Sequence, residues 1–148
     1  MQRDSDSASP QTETETGTGT ETETEPNPDS NTPPPHASRV LSNDGAWTIT
    51  WWTEPATIPM HELHQVEVRV VSARDAEAPL PSDLSLAVDA RMPHHRHGML
   101  VAPEVTRLGP GRFRVDGMML HMSGYWEYYF DVGAGGVIER AQDSIELE

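Results

Sequence analysis

Short runs in which apolar and polar residues alternate constrain the fold of this chain more than any other feature of its sequence. In the clearest run, residues 126–132, the even positions are Trp, Tyr, Phe and Val, and the odd positions are Glu, Tyr and Asp. A period of two turns one side of an extended chain towards a core and the other towards solvent. The same pattern is found at residues 46–52, 66–70, 84–88 and 113–115, with shorter apolar pieces at 137–138 and 145–147. The alternation predicts β-strands over most of the chain after residue 40.

Clusters of turn-forming residues separate these runs. They lie at residues 43–45, 79–81, 109–111 and 133–136. The cluster Gly109-Pro110-Gly111 stands between two short runs and predicts a hairpin turn. No apolar stripe has the spacing of an amphipathic helix. About seven short strands in about 105 residues is the size of an immunoglobulin-like domain. We therefore predict an all-β, immunoglobulin-like β-sandwich, with a small open barrel as the competing architecture.

The first part of the chain has a different composition. Apart from Met1, the only apolar side chain in residues 1–35 is Ala8, and the segment consists largely of Thr, Glu, Ser and Pro. Such a segment buries too little apolar surface to offset the entropy lost on ordering. We predict a disordered acidic Thr/Glu/Pro-rich tail or linker over residues 1–39 and a folded domain over residues 40–148.

Charge and residue usage exclude several functions. The formal net charge is −14, and all ten cationic residues counted as Lys or Arg are arginines. Nucleic acid is therefore an unfavourable partner, because its binding requires a basic surface. The chain has no cysteine, which excludes disulfides, thiolate metal sites and cysteine nucleophiles. No apolar stretch is long enough to predict a transmembrane segment.

Histidine and methionine are concentrated in three clusters of the folded part. The clusters are Met60–His64, Met92–Met99 and Met118–Met122. In the middle cluster His95, His97 and Met99 have the same parity, so an extended backbone would project them to one side and His94 to the other. Pro93 and Gly98, however, favour a loop that leaves the strand at residues 84–90. Imidazole and thioether together favour copper, and thioether favours Cu(I) in particular, whereas zinc has little use for methionine.

The same residues also have structural interpretations. His61 and His64 precede a predicted strand and are more typical of structural histidines, and Met118 and Met119 are typical of a core strand. His36 receives no role. No phosphate-binding loop or nucleophile motif is present, so we do not predict an enzyme.

The order of the clusters resembles a known family. The segments that carry the resemblance are Ile58-Pro59-Met60-His61-Glu62-Leu63-His64, Met92-Pro93-His94-His95-Arg96-His97-Gly98 and His121-Met122-Ser123-Gly124-Tyr125-Trp126. They are similar to the motifs of the YtkA-like, FixH-related extracytoplasmic domains. In those domains Pro usually occupies the position of Ser123, and a small residue that of Arg96.

The resemblance implies an immunoglobulin-like sandwich, an extracytoplasmic location (periplasmic or cell-surface lipoprotein) and a role in copper handling. The family's motif positions fall on Met92, His95, His97, His121 and Met122, and His64 matches the histidine of the first segment. A Thr/Ser/Pro/acid-rich leader is also typical of the segment that follows the lipid-bearing cysteine of bacterial lipoproteins. A lipid anchor in the native precursor is therefore expected.

These observations lead to one predicted function and two alternatives. The predicted function is an extracytoplasmic module that binds a copper ion, Cu(I) or Cu(II). His95 and His97 are the primary ligands, His121 or Met122 completes the site, and Met92 or Met99 is a soft axial ligand. The first alternative is a metal-free β-sandwich interaction domain. The second is an accessory subunit of a copper- or haem-dependent membrane complex of the oxidase type.

Overall fold

A computed structural model describes residues 32–148 of the chain. Most of the predicted tail therefore lies outside the described residues. The described part contains nine strands: β1 (Ser38–Leu41), β2 (Trp47–Glu54), β3 (His64–Ser72), β4 (Ser85–Met92), β5 (His97–Gly98), β6 (Glu104–Gly109), β7 (Arg112–Met118), β8 (Gly124–Ala134) and β9 (Val137–Leu147). No helix in this part is long and apolar enough to cross a membrane.

The strands form two antiparallel sheets, which confirms the predicted β-sandwich. One sheet has the order β1-β2-β3-β7-β6 and the other has the order β5-β4-β8-β9. An immunoglobulin domain pairs strands A, B, E and D in one sheet and C, F and G in the other. Taking β2 as strand A, the chain reproduces both orders, with β1 as an added edge strand and β5 as a short strand beside C.

The strand count exceeds the predicted seven because two short edge strands have no apolar alternation to reveal them. These are β1 and β5, and each lies at the edge of its sheet. An edge strand packs less of its surface against the core, so its sequence carries a weaker pattern. The hairpin predicted at Gly109-Pro110-Gly111 is present between β6 and β7.

The fold also starts slightly earlier than the predicted boundary at residue 40. Strand β1 begins at Ser38, which pairs with Trp51 of β2. Upstream of it, the Nε2 atom of His36 donates a hydrogen bond to the carbonyl oxygen of Thr53 at 3.2 Å. Pairing with the buried strand β2 therefore orders polar residues whose own sequence does not indicate a strand.

The core is formed by the inward positions of the alternating runs. Trp126, Tyr128 and Phe130 of β8 are fully buried. Trp51 of β2, in the opposite sheet, stacks on Tyr128 with ring centroids 4.7 Å apart and an interplanar angle of 24°. Stacked aromatic pairs of this kind contribute about 0.5–1.5 kcal/mol beyond the area that they bury. This contact joins the two sheets through the middle of the sandwich.

The strand directions bring the three His/Met clusters to one end of the sandwich. Strands β4 and β7 end there, at Met92 and Met118, and β3 and β8 begin there. The register places His64 opposite Met118 in one sheet. In the other sheet, Arg91 near the end of β4 is opposite Glu127 near the start of β8. The loops β2–β3, β4–β5 and β7–β8 are consequently neighbours.

Candidate metal centre

The middle cluster forms a tight turn rather than an extended segment. The backbone N–H of His95 donates to the carbonyl of Met92 at 3.0 Å, and Arg96 has a left-handed φ of 59°. His97 then pairs with Met92 as β5 begins. This turn agrees with the loop that Pro93 and Gly98 favour, and the parity of the side chains does not apply because alternation requires extended backbone. The turn nevertheless leaves the rings of His95 and His97 5.7 Å apart, centroid to centroid.

The third His/Met cluster lies beside this turn. His121 and Met122 lie in the β7–β8 loop. The rings of His97 and His121 are 5.2 Å apart with an interplanar angle of 32°. Two segments that are far apart in the sequence thus contribute neighbouring imidazoles. His95 is exposed, whereas His97 and His121 are half-buried.

Trp126 forms an apolar wall beside these two histidines. Its ring centroid lies 5.6 Å from that of His121 and 6.4 Å from that of His97, in both cases edge to face. Its indole N–H donates a 2.9 Å hydrogen bond to the carbonyl of Met122, which fixes the loop that carries His121. Because Trp126 is fully buried, its position is set by the core.

The hydrogen bonding of the two imidazoles differs. The Nδ1 atom of His97 is within 3.3 Å of the carbonyl oxygen of Gly98, to which it donates when it carries the proton. The Nε2 atom of His97 then has its lone pair free. The Nδ1 atom of His121 is buried and has no hydrogen-bond partner among residues 32–148. A buried polar atom without a partner is costly and calls for an explanation.

The electrostatic environment of His121 favours its neutral form. Burial lowers its pKa, and the positive charges that His97 and His61 would carry lower it further. A neutral imidazole is the form that binds metals. The local environment of His121 therefore favours the ligand form of its side chain.

The predicted methionine ligands differ in burial. Met92 is fully buried in the core. Met99 and Met122 are partly buried and pack against it. Gly124, at the start of β8, adjoins the end of the Met92 side chain, since a Cβ atom there would lie 3.1 Å from the Met92 Cε atom. Met92 pairs with His97 in the β4–β5 ladder, so its backbone adjoins the histidine pair.

Other histidines are placed outside the group formed by His95, His97 and His121. His94 stacks on Tyr125 with ring centroids 5.0 Å apart. His64 is buried, and its Nε2 atom lies 3.4 Å from the hydroxyl of Tyr128. Burial lowers the pKa of His64, so this side chain too is held neutral. The surroundings of His64 are those of a core residue.

His61 was assigned a structural role together with His64, but unlike His64 its side chain is exposed. Its backbone N–H donates to the carbonyl of Leu120 at 3.0 Å.

The side chains do not form a finished coordination sphere. Within residues 32–148, no group of three or more His, Cys, Asp or Glu side chains is arranged so that it could hold a metal ion as it stands. The His97 ring is close to the rings of both His95 and His121, but the three rings do not converge on one point. Binding of a metal by this group requires side-chain rotation.

No protein-family model, curated protein or solved structure matches this chain.

Proposed function

We propose that the protein is a copper-binding module whose ligands come from the β4–β5 turn and the β7–β8 loop. The observation that carries this proposal is the 5.2 Å separation of the His97 and His121 rings. Two imidazoles that bind one metal at about 2.0–2.1 Å per bond, in a tetrahedral arrangement, have ring centroids about 5 Å apart. The two rings are thus already at a separation that one metal ion can bridge.

The hydrogen bonding of the pair supports the same function. A metal-binding histidine commonly donates its second ring N–H to a backbone carbonyl, which fixes the ring and exposes the other nitrogen. His97 has this arrangement with Gly98. On His121, a metal bound to Nδ1 would satisfy the buried atom that has no partner in the described part of the chain.

The residues around the pair favour copper among the available metals. Met92, Met99 and Met122 belong to the same two segments as the imidazoles, and thioether is a ligand for Cu(I) rather than for zinc. Arg96 is exposed to solvent, so its charge is screened by water and opposes cation binding less than a buried charge would. Metal identity therefore rests on the His/Met donor set.

The resemblance to the YtkA-like domains extends the proposal to location and partner. It supports an extracytoplasmic, lipid-anchored protein that works with a copper- or haem-dependent membrane complex. Fractionation of the native protein tests the location, and recovery from the cytoplasmic fraction would exclude it. Co-purification from detergent-solubilised membranes tests the partner, and recovery without any copper or haem protein would exclude that complex.

Copper titration of the full chain tests the binding itself. We expect one equivalent of copper to bind more tightly than micromolar, and the double substitution His95→Ala/His97→Ala to weaken binding by at least about tenfold, since even outer-sphere partners contribute that much. His94→Ala is the matched control, because this exposed neighbour stacks on Tyr125 instead. Equal affinities in the double variant and the wild type would refute the proposal.

A metal-free interaction domain is the second candidate. The observation in its favour is that no three His, Cys, Asp or Glu side chains of residues 32–148 are grouped to hold a metal. In this case the histidines are surface residues of a recognition loop. This candidate predicts that copper titration gives no saturable binding, and that His95→Ala/His97→Ala instead weakens capture of a protein partner.

A further inference from the structure

The β2–β3 loop is attached to the β7–β8 loop directly beside the proposed copper site. The backbone N–H of His61 donates to the carbonyl of Leu120, the residue before His121, at 3.0 Å. A short distance along the chain, His64 is in register with Met118 in the β3–β7 ladder. These two connections hold the His61 backbone next to the segment that carries His121.

The backbone of His61 is in an unusual conformation. Its φ is 66°, and the only other non-glycine residue with a positive φ in the described part of the chain is Arg96. Non-glycine residues in the left-handed region cost about 1–3 kcal/mol and are concentrated at functional sites. Both of these residues lie in loops that adjoin the His97–His121 pair. The fold therefore keeps His61 in a costly backbone conformation beside the candidate site.

The His61 side chain is not engaged by the core. It is exposed, in contrast to the buried His64 of the same cluster. The backbone hydrogen bond to Leu120 places the Cα atom of His61 beside the segment that carries His121. An exposed imidazole at this position can rotate towards a shared metal without disrupting packing.

We propose that His61 is a further metal ligand, recruited from the β2–β3 loop when the bound ion is Cu(II). This inference rests on the proposed function. Its chemistry follows from the donor set: imidazole nitrogens suit Cu(II), whereas thioether sulfurs suit Cu(I). His61, His97 and His121 supply the nitrogen side of the site, and the methionines supply the sulfur side. Cu(II) then connects three loops, whereas Cu(I) needs only the β4–β5 and β7–β8 segments.

The variant His61→Asn tests this assignment in the full chain. Asparagine is enriched in the left-handed region, so the substitution preserves the backbone conformation while removing the imidazole. His94→Asn is the matched control, an exposed histidine of the adjacent turn. We expect His61→Asn to weaken Cu(II) binding by at least about tenfold, with a change in Cu(I) affinity below about threefold. His94→Asn leaves both affinities unchanged.

Electron paramagnetic resonance of the Cu(II)-loaded protein gives a second measurement that a purely structural role would not alter. We expect nitrogen superhyperfine coupling to decrease by one nitrogen in His61→Asn and to remain unchanged in His94→Asn. An unchanged nitrogen count together with unchanged Cu(II) affinity in His61→Asn would overturn the role of His61 and leave the proposed function intact. Absence of saturable copper binding by the wild-type chain would overturn the proposed function as well.

Discussion

The imidazole rings of His97 and His121 lie 5.2 Å apart, centroid to centroid, although one belongs to strand β5 and the other to the loop between β7 and β8. The immunoglobulin-like strand order brings them together, because β4 and β7 both end at this end of the sandwich and β8 begins there. Trp126 then limits the space on one side of both rings. The pair is a consequence of topology, and its chemistry can be tested residue by residue.

Substitution of Met92 tests whether a buried thioether completes the site. Met92 and Met118 are both fully buried, so replacing either by leucine nearly conserves volume and costs less than about 1.5 kcal/mol. We expect Met92→Leu to weaken Cu(I) binding by about tenfold, comparable to the loss of a supporting group, and Met118→Leu to leave it unchanged. Competition titration against a Cu(I) chelator measures both. If the two variants bind Cu(I) equally tightly, the thioether ligand is Met99 or Met122 rather than Met92.

Trp126 provides an internal reporter of binding. Its ring lies 5.6 Å from that of His121, so Cu(II) bound to this histidine is close enough to quench the indole fluorescence strongly. The chain has four tryptophans. We expect Trp126→Phe to remove most of the copper-dependent quenching, whereas Trp52→Phe, which changes an indole on the opposite sheet, should retain it. Quenching that is equally strong without Trp126 would place the metal elsewhere.

The turn between β6 and β7 depends on the absence of a side chain at Gly111. Its φ is +68°, and a Cβ atom there would collide with the carbonyl oxygen of Val70. Gly45 has a similar φ of +80° but open space around it, which makes it a matched control. The left-handed conformation alone costs about 1–2 kcal/mol for alanine. We expect Gly111→Ala to lower the free energy of unfolding by at least about 1 kcal/mol more than Gly45→Ala, from the additional overpacking. Equal losses in urea unfolding would contradict the predicted collision.

Acidification should destabilise the metal-free domain through its neutral histidines. The pKa of His64 is lowered by burial below its ordinary value of 6.5. The unfolded chain therefore binds a proton between pH 6.5 and the lower folded-state pKa, whereas the folded chain does not. The free energy of unfolding is unaffected by this group above about pH 6.5 and falls below it. Urea unfolding between pH 7.5 and 5.5 should show a shallower decrease in His64→Gln. Parallel curves would argue against a neutral buried His64.

The fold could be predicted from the sequence because apolar and polar residues alternate regularly along the core strands. The inward positions of 126–132 are all buried, and the turn at Gly109-Pro110-Gly111 is where the pattern predicted it. The strands that it missed, such as Ser38–Leu41, lie at sheet edges and bury little. An edge strand is specified by backbone pairing with its neighbour, which leaves little trace in its own residues.

The candidate site was only partly predictable. The sequence led to the prediction that the segments of His97 and His121 join at one end of the sandwich, and Pro93 and Gly98 favoured a loop after β4. It could not predict the left-handed backbone at Arg96. It also could not predict the backbone hydrogen bond from His61 to Leu120, which joins two loops.

Paramagnetic broadening by substoichiometric Cu(II) tests the central claim most directly, because it locates the metal in the intact chain. In nitrogen- and proton-detected spectra of the full-length protein, we predict selective loss of the signals of His97 and His121 and of the Trp126 indole N–H. Residues near the Gly111 turn, at the other end of the sandwich, should be unaffected. Broadening confined to the acidic residues before Thr32, or uniform weak broadening without a focus, would contradict the proposed copper site.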